Sequence, residues 1–251
     1  MTPPPSASDR MPAAAPLQST PDAPLLFILS APSGSGKSTL VRELLRLVPG
    51  LEFSISYTTR PPRGSEVHGR EYFFIGRNEF EAMRRAGDFL ETAEVFGYHY
   101  GTAWHYLEDA RRQGRDLLLD IDVQGAALVR ARRPDAIGIF IAPPDRKTLE
   151  WRLRNRGQDS EAAMETRLRD ASREIAAYNK YDYLLLNDRL EESVERLSAI
   201  VESERARARG PRPEESESDR RHREALAASC RREAAAQRLV PVLRSFGIAD
   251  P

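Results

Sequence analysis

Most of what could staple, ligate or anchor this chain is scarce. Of its 251 residues one is a cysteine, Cys230, so neither an internal disulfide framework nor a cysteine-based metal site is open to it. The four histidines, His68, His99, His105 and His222, are scattered without metal-ligand spacing. Neither sign of charge prevails. The 38 Lys+Arg balance 38 Asp+Glu, which removes the global basic field that would point to nucleic acid and makes any anion site a local one. No apolar stretch reaches the roughly 18 residues of a membrane span, and the N-terminus lacks the basic-then-apolar layout of a secretory signal. The expectation is a cytoplasmic protein that engages neither membrane nor nucleic acid.

What is present is rhythm. Residues 1–24 are rich in Pro, Ala and Ser, too poor in apolar content for a core, and read as a disordered tail. From Leu25 short apolar runs alternate with helical patterns. Leu25–Leu29, Asp116–Ile121, Ala136–Ile141 and Tyr183–Leu186 read as buried strands. Lys37–Leu47, Trp104–Gln113, Gly125–Arg132, Asp145–Arg154 and Ser160–Tyr178 read as helices. In the last of these Met164, Leu168, Ala171, Ile175 and Tyr178 recur at helical spacing. Such alternation implies an α/β fold with a central parallel sheet covered on both faces. One segment, Leu51–Val95, breaks the rhythm and reads as a small mixed α+β insert, with strand-like pieces at 53–56 and 71–75. There Asn78-Glu79-Phe80-Glu81 resembles a capping box opening a short helix that Gly87 ends. An amphipathic helix follows Leu190, a charged linker is expected over about 206–219, and a last helical pattern runs from Arg220 to Phe246 within a C-terminal extension, 220–251.

The first strand runs into Ser30-Ala31-Pro32-Ser33-Gly34-Ser35-Gly36-Lys37-Ser38-Thr39. Glycines let the backbone turn its N–H groups inward, and the helix starting near Lys37 adds its N-terminal dipole. Lys37 is placed to reach β- and γ-phosphates, and the Ser38 hydroxyl to ligate Mg²⁺. Ala31 stands where the general phosphate-loop pattern has its first glycine. A second element fits: Leu118-Leu119-Asp120-Ile121-Asp122 is an apolar strand ending in carboxylates. Asp120 or Asp122 would sit beside the loop and hold Mg²⁺ through water, or else cap the following helix. A cluster of cations over 145–173, Arg146, Lys147, Arg152, Arg154, Arg156, Arg167, Arg169 and Arg173, suits the neutralisation of phosphates. Glu150, Glu161, Glu165 and Asp170 would pair with some of them on a solvated face.

Within the insert stand Ser56-Tyr57-Thr58-Thr59-Arg60-Pro61-Pro62-Arg63-Gly64, then Gly69-Arg70-Glu71-Tyr72, Phe89-Leu90-Glu91 and Tyr100-Gly101-Thr102. Two arginines three residues apart in a Pro-rigidified turn can fork onto one phosphate. With Leu119-Asp120-Ile121-Asp122-Val123-Gln124-Gly125 and Arg156-Gly157-Gln158-Asp159-Ser160, these segments make residues 25–205 closely resemble the guanylate kinases, nucleoside monophosphate kinases of the P-loop superfamily. Tyr57 is bulkier than the small residue expected after Ser56. The resemblance implies an insert over about 54–104 and a helical lid over about 145–173. It implies Mg²⁺-dependent transfer of the γ-phosphoryl group of ATP to GMP or dGMP. Arg60, Arg63, Tyr72 and Tyr100 would hold the GMP phosphate. Ser56 and Glu91 would read the base, with Gly101, Thr102 and Asp120 assisting. The donor would lie on Ala31–Thr39, with Asn187 near the adenine. Lys37 and the lid arginines Arg152, Arg156 and Arg167 would carry catalysis. Two other readings stay open: a P-loop kinase acting on a ribose phosphate, which has no need of Ser56, Glu91 and the tyrosine pair together, and a non-catalytic guanylate-kinase-like binding module, which would have no use for Gly36-Lys37-Ser38. A homo-oligomer is left open as well.

Overall fold

The computed structural model describes residues 23–95, 97–156 and 161–249. Nearly all of the expected tail, the residues Gly157, Gln158, Asp159 and Ser160, and the side chain of Arg156 lie outside what is described.

A five-stranded sheet organises the chain. β1 (Leu26–Ser30) lies at its centre, flanked by β7 (Asp116–Asp120) and β8 (Ile137–Ala142). β2 (Leu51–Ser54) and β9 (Tyr183–Leu186) form the edges. Every pairing is parallel. The strands are near-continuous apolar runs because both faces are covered. Along β1 the pleat sends Leu26 and Ile28 into one core and Phe27 and Leu29 into the other. The first core is closed by α4 (Val123–Arg132), α5 (Arg146–Arg156), α6 (Glu161–Ala176) and α9 (Arg232–Ser245). The second is closed by α1 (Lys37–Leu47), α7 (Leu190–Arg209) and α8 (Glu217–Ser229).

The insert holds a second sheet in the order β4 (Phe73–Phe74), β3 (Tyr57–Thr58), β6 (Tyr98–Ala103), β5 (Phe89–Val95), with α2 (Arg77–Ala86) against it and α3 (His105–Gln113) leading back. Tyr57, the residue too large for its expected place, stacks on Phe73 at 4.7 Å and meets Phe89 edge-on at 5.8 Å, so its bulk fills the insert's own core.

Four expectations are corrected. The run 53–56 is not a strand of the insert; residues 51–54 pair with β7 as the edge of the main sheet, while Ser56 O beyond them accepts from Phe73 N of the insert. Helix α2 opens at Arg77 behind Gly76 with no side-chain cap, so Asn78 caps nothing, whereas Gly87 does end the helix at φ 79°. The polar stretch near Arg205 is helical through Arg209, and the last pattern is two helices, since the chain turns at Cys230-Arg231. The arginines that made 205–209 look like linker are in use: Asp116, fully buried at the amino end of β7, accepts from Arg205 Nε at 2.7 Å, Arg209 Nη1 at 3.1 Å and Leu25 N at 2.8 Å. Asp116→Ala would leave those donors without their acceptor. It is expected to cost about 3 kcal/mol, read as a lower urea midpoint with kcat unchanged, because this edge of the sheet lies opposite the phosphate loop.

Candidate functional site

β1 delivers the chain into the loop at the carboxyl edge of the sheet, between neighbours reached by opposite crossovers, where open parallel sheets take ligands. The loop's shape depends on Gly34 at φ +89° and Gly36 at φ +87°, values that L side chains rarely adopt. Both are also crowded. A Cβ on Gly34 would stand 3.0 Å from Leu149 and Leu153 of α5, and one on Gly36 would stand 2.5 Å from Asn187 Nδ2. Gly36 is the N-cap of α1, so the unpaired N–H groups of that helix's first turn face the loop.

A cleft of about 310 Å³ opens between this loop and the insert. The structure brings together on its walls Ala31, Pro32, Ser33, Gly34, Gly36, Lys37 and Ser38 from the loop, Ser56, Arg60, Arg63, Tyr72, Glu91 and Tyr100 from the insert, and Asp120 and Asp122 from the end of β7. Ser35, Thr39, Gly101, Thr102, Asn187, Arg152 and Arg167 are not on those walls. Several of them act on the cleft from behind. Asn187 Nδ2 donates to Ser35 O at 2.7 Å, and Arg152 lies over the loop with Nη1 at 3.5 Å from Ser35 O and Nη2 at 3.4 Å from Asn187 O. Gly101 is a packing residue, since a Cβ there would stand 2.8 Å from the Phe89 ring. Arg167 is half-buried on α6. Arg154 pairs with Glu150 and Glu161, and Arg173 with Asp170, as a solvated face does.

The two aspartates divide their duties. Asp120 forms an ion pair with the Lys37 ammonium. Asp122 caps α4, accepting from Gly125 N at 2.8 Å, so the capping role applies to Asp122 while its side chain still faces the cleft. On the insert side Arg60 is buried and fully engaged. It donates to Pro61 O at 2.7 Å, Glu66 Oε1 at 3.0 Å and Tyr100 Oη at 3.2 Å, and it lies 5.4 Å over the Tyr72 ring. Arg63 remains exposed at the rim, with its backbone N–H bound to Glu66.

Two carboxylates sit where carboxylates are costly. Glu91 on β5 is 5% exposed and accepts from Thr102 Oγ1 at 2.7 Å. Burial pushes its carboxyl up to about 7; the Thr102 hydrogen bond opposes this and the charge of Asp122 adds to it. Its Oε2 lies 2.9 Å from where a Cβ on Gly125 would stand, so the glycine of the first turn of α4 makes room for it. Glu174 on α6 also lines the cleft, and burial raises it likewise to about 7, opposed by Lys37 and reinforced by Asp122 and Asp170. Sequence reasoning passed over Glu174. The available signal was its place three residues after the core position Ala171, at the edge of the apolar face of α6.

As chemistry, the cleft offers backbone N–H groups, an ammonium and a hydroxyl on one wall, and two guanidiniums, two phenols and a buried carboxylate on the other. For a metal, Ser38, Asp120 and Asp122 supply hard oxygen ligands. No cluster of three or more His, Cys, Asp or Glu able to hold a metal ion occurs among the described residues. That donor set fits Mg²⁺, which keeps most of its waters and takes few protein ligands beside a substrate's phosphates.

Comparison with known proteins bears on the same features. The family model described as Guanylate kinase matches residues 24–204. The chain is 55% identical over 230 residues to the guanylate kinase of Koribacter versatilis, covering 90% of this chain and 97% of that one. It is 49% identical over 180 residues to the guanylate kinase of Nitrosococcus oceani, covering 72% and 89%. Among solved structures, the crystal structure of guanylate kinase from Anaplasma phagocytophilum superposes with a TM-score of 0.62 at 34% identity, over 73% of this chain and 87% of that one.

Proposed function

The chain belongs to the guanylate kinase family, ATP:GMP phosphotransferases, and on that premise we propose that it transfers the γ-phosphoryl group of ATP to GMP and to dGMP in the presence of Mg²⁺, recycling guanine nucleotides in the cytoplasm. The loop Ala31–Thr39 is the donor site and the insert is the acceptor site. The observation that carries this division is the pairing, across one cleft, of a lysine-bearing phosphate loop with a carboxylate held buried on the insert.

Guanine presents N1–H and N2–H₂ as adjacent donors and O6 as acceptor. Glu91 accepts from both donors, fixed by Thr102 from the next strand. Ser56, 7% exposed on the cleft wall, donates to O6. Adenine carries an amino group at the six-position, an acceptor at N1 and no 2-amino group, so Glu91 would lose both donors and face the N1 lone pair, while the Ser56 hydroxyl would have to turn from donor to acceptor. Sites of this kind reject such analogues by up to about 10⁴-fold or more. Tyr72 and Tyr100, ring to ring at 5.8 Å, stand with Arg60 around the place for the acceptor's phosphate, and Arg63 completes a fork from the rim.

That phosphate loses its second proton near pH 6, so its oxygen attacks without a general base. The protein's task is to align two polyanions and balance their charge. Lys37 is drawn from Asp120 toward the β- and γ-phosphates, and Arg152 is placed above the loop to follow the transferring group. Mg²⁺, when bound, supplies charge neutralisation across the donor phosphates. Ser38 would ligate it, and Asp120 or Asp122 would hold its water shell.

Gly125 offers a selective test of the base site. In Gly125→Ala the new methyl presses on Glu91 Oε2 at 2.9 Å and on Asp122 Oδ1 at 3.2 Å. The expected result is a KM for GMP raised about tenfold, the equivalent of one displaced hydrogen bond, with the KM for ATP unchanged in steady-state kinetics. The proposal as a whole is tested by ADP release with ATP, with and without Mg²⁺, on GMP, dGMP, AMP, UMP and ribose 1,5-bisphosphate. Mg²⁺-dependent turnover confined to the guanine nucleotides supports it, and turnover on the ribose bisphosphate would overturn the acceptor assignment.

A further inference from the structure

The helix pair α5–α6 is rooted in the core at two points. One is Arg146, the first residue of α5. The other is the 3₁₀ turn Tyr178–Lys180 that follows α6 and leads to β9. A single helix from the far end of the sequence grips both. At the start of α9, Arg232 N donates to Asp182 O at 3.0 Å, and Arg232 Nη1 donates to Asn179 O at 2.8 Å. At its end, Ser245 Oγ accepts from Arg146 N at 3.1 Å while donating to Val242 O at 2.7 Å. The N-terminus of α5 is thus capped twice, by the adjacent Asp145, which accepts from Thr148 N at 2.7 Å, and by a hydroxyl 99 residues away. Fourteen helical residues span about 20 Å, enough to bridge the two roots.

Between its ends α9 buries Ala235, Leu239 and Leu243 in the same core as Leu149 and Leu153 of α5 and Leu168 of α6. The turn that opens α9 also pairs with the edge strand. Cys230 O accepts from Leu184 N at 2.8 Å, and the Arg231 guanidinium lies 4.3 Å over the Tyr183 ring. That strand runs on to Asn187, which holds the loop carbonyl of Ser35. The elements that set the back of the phosphate loop, α5 with Arg152 and β9 with Asn187, are therefore those that α9 holds. The 230-residue match to the Koribacter protein is longer than the family match at 24–204, so it runs into this extension.

We propose that α9 is a positioning clamp for the donor side: Ser245 and Arg232 fix the two roots of the α5–α6 pair so that Arg152 and Asn187 keep their places over the phosphate loop. The proposal rests on the reading of that pair as the ATP-side lid. Removing α9 outright would bare the core, so the test uses side chains. In the double variant Ser245→Ala/Arg232→Ala the KM for ATP is expected to rise about 5–10-fold, the loss of one or two hydrogen bonds. The KM for GMP should stay within about twofold and the melting temperature close to the parent's, and Ser245→Thr alone should behave as the parent because it keeps a hydroxyl. Arg152→Ala is measured alongside. Unchanged ATP constants in the double variant, with Arg152→Ala impaired, would overturn the clamp and leave the lid. Unchanged constants in both would overturn the lid reading and the clamp with it. KM values for ATP and GMP that rise together with a falling melting temperature would reduce α9 to a brace for the core.

Discussion

Lys37→Ala is expected to lower kcat for GMP phosphorylation about 10²–10³-fold, the usual effect of removing one preorganised charge or donor from a developing anion, with the KM for GMP roughly unchanged. The reasoning starts from position. Lys37 is the first residue of α1, directly after the glycine whose positive φ closes the loop, so its ammonium projects into the cleft beside the N–H groups of that turn. Its partner there is Asp120. Alanine therefore does two things: it removes a cation and it bares a carboxylate where phosphates must come. The two effects separate in Lys37→Ala/Asp120→Asn. If the bared carboxylate dominates, the second change restores most of the rate. If the missing cation dominates, as the chemistry of phosphoryl transfer requires, the double variant stays slow. Single-turnover rates at saturating ATP and GMP make the comparison.

Glu91→Gln is expected to lower kcat/KM for GMP on the order of 10³-fold, since one accepting oxygen is replaced by a donor that opposes the 2-amino group. The loss should be smaller for inosine monophosphate, which keeps N1–H but has no 2-amino group, so preference for GMP over it collapses. The same change should stabilise the protein, in a pH-dependent way. The folded carboxyl sits near 7 against an ordinary 4.5. The folded state thus holds this proton more tightly than the unfolded chain. The burial cost is absent below about pH 4.5, grows as pH rises toward 7 and is full above it. At pH 8 that cost, net of the Thr102 hydrogen bond, is on the order of 3 kcal/mol. The variant should therefore melt several degrees above the parent at pH 8, and the gain should fade toward pH 5.

Four of the five strands of the main sheet were legible because buried parallel strands are written as short continuous apolar runs, whereas the edge strand Leu51–Ser54 is not. Tyr183–Leu186 appears where the sequence places it, and Lys37–Leu47 does so with its glycine cap. The hairpin β5–β6 was not legible as strands. Glu91, Glu94, His99 and Gly101 interrupt its pattern, because one part of it faces the cleft and another packs so closely on Phe89 that only glycine fits. Glu91 illustrates the limit well: from the residue alone it reads as a solvated charge at a sheet edge, and only the resemblance marked it, whereas the structure buries it. Glu174 escaped for the opposite reason, one acid among several on a helix rich in charge. The role of 205–209 was hidden because its arginines look solvated until Asp116, 89 residues away in sequence from Arg205, is brought beneath them.

The division of the cleft into a donor wall and an acceptor wall is tested most directly by equilibrium binding without turnover. Calorimetric titrations of GMP, and separately of a non-hydrolysable ATP analogue with Mg²⁺, would be run on the parent, Lys37→Ala and Glu91→Gln. The expected result is a double dissociation: Glu91→Gln loses GMP binding and keeps the ATP analogue, while Lys37→Ala weakens the analogue and keeps GMP. Equal loss of both ligands in either variant, or GMP binding that survives Glu91→Gln intact, would contradict it.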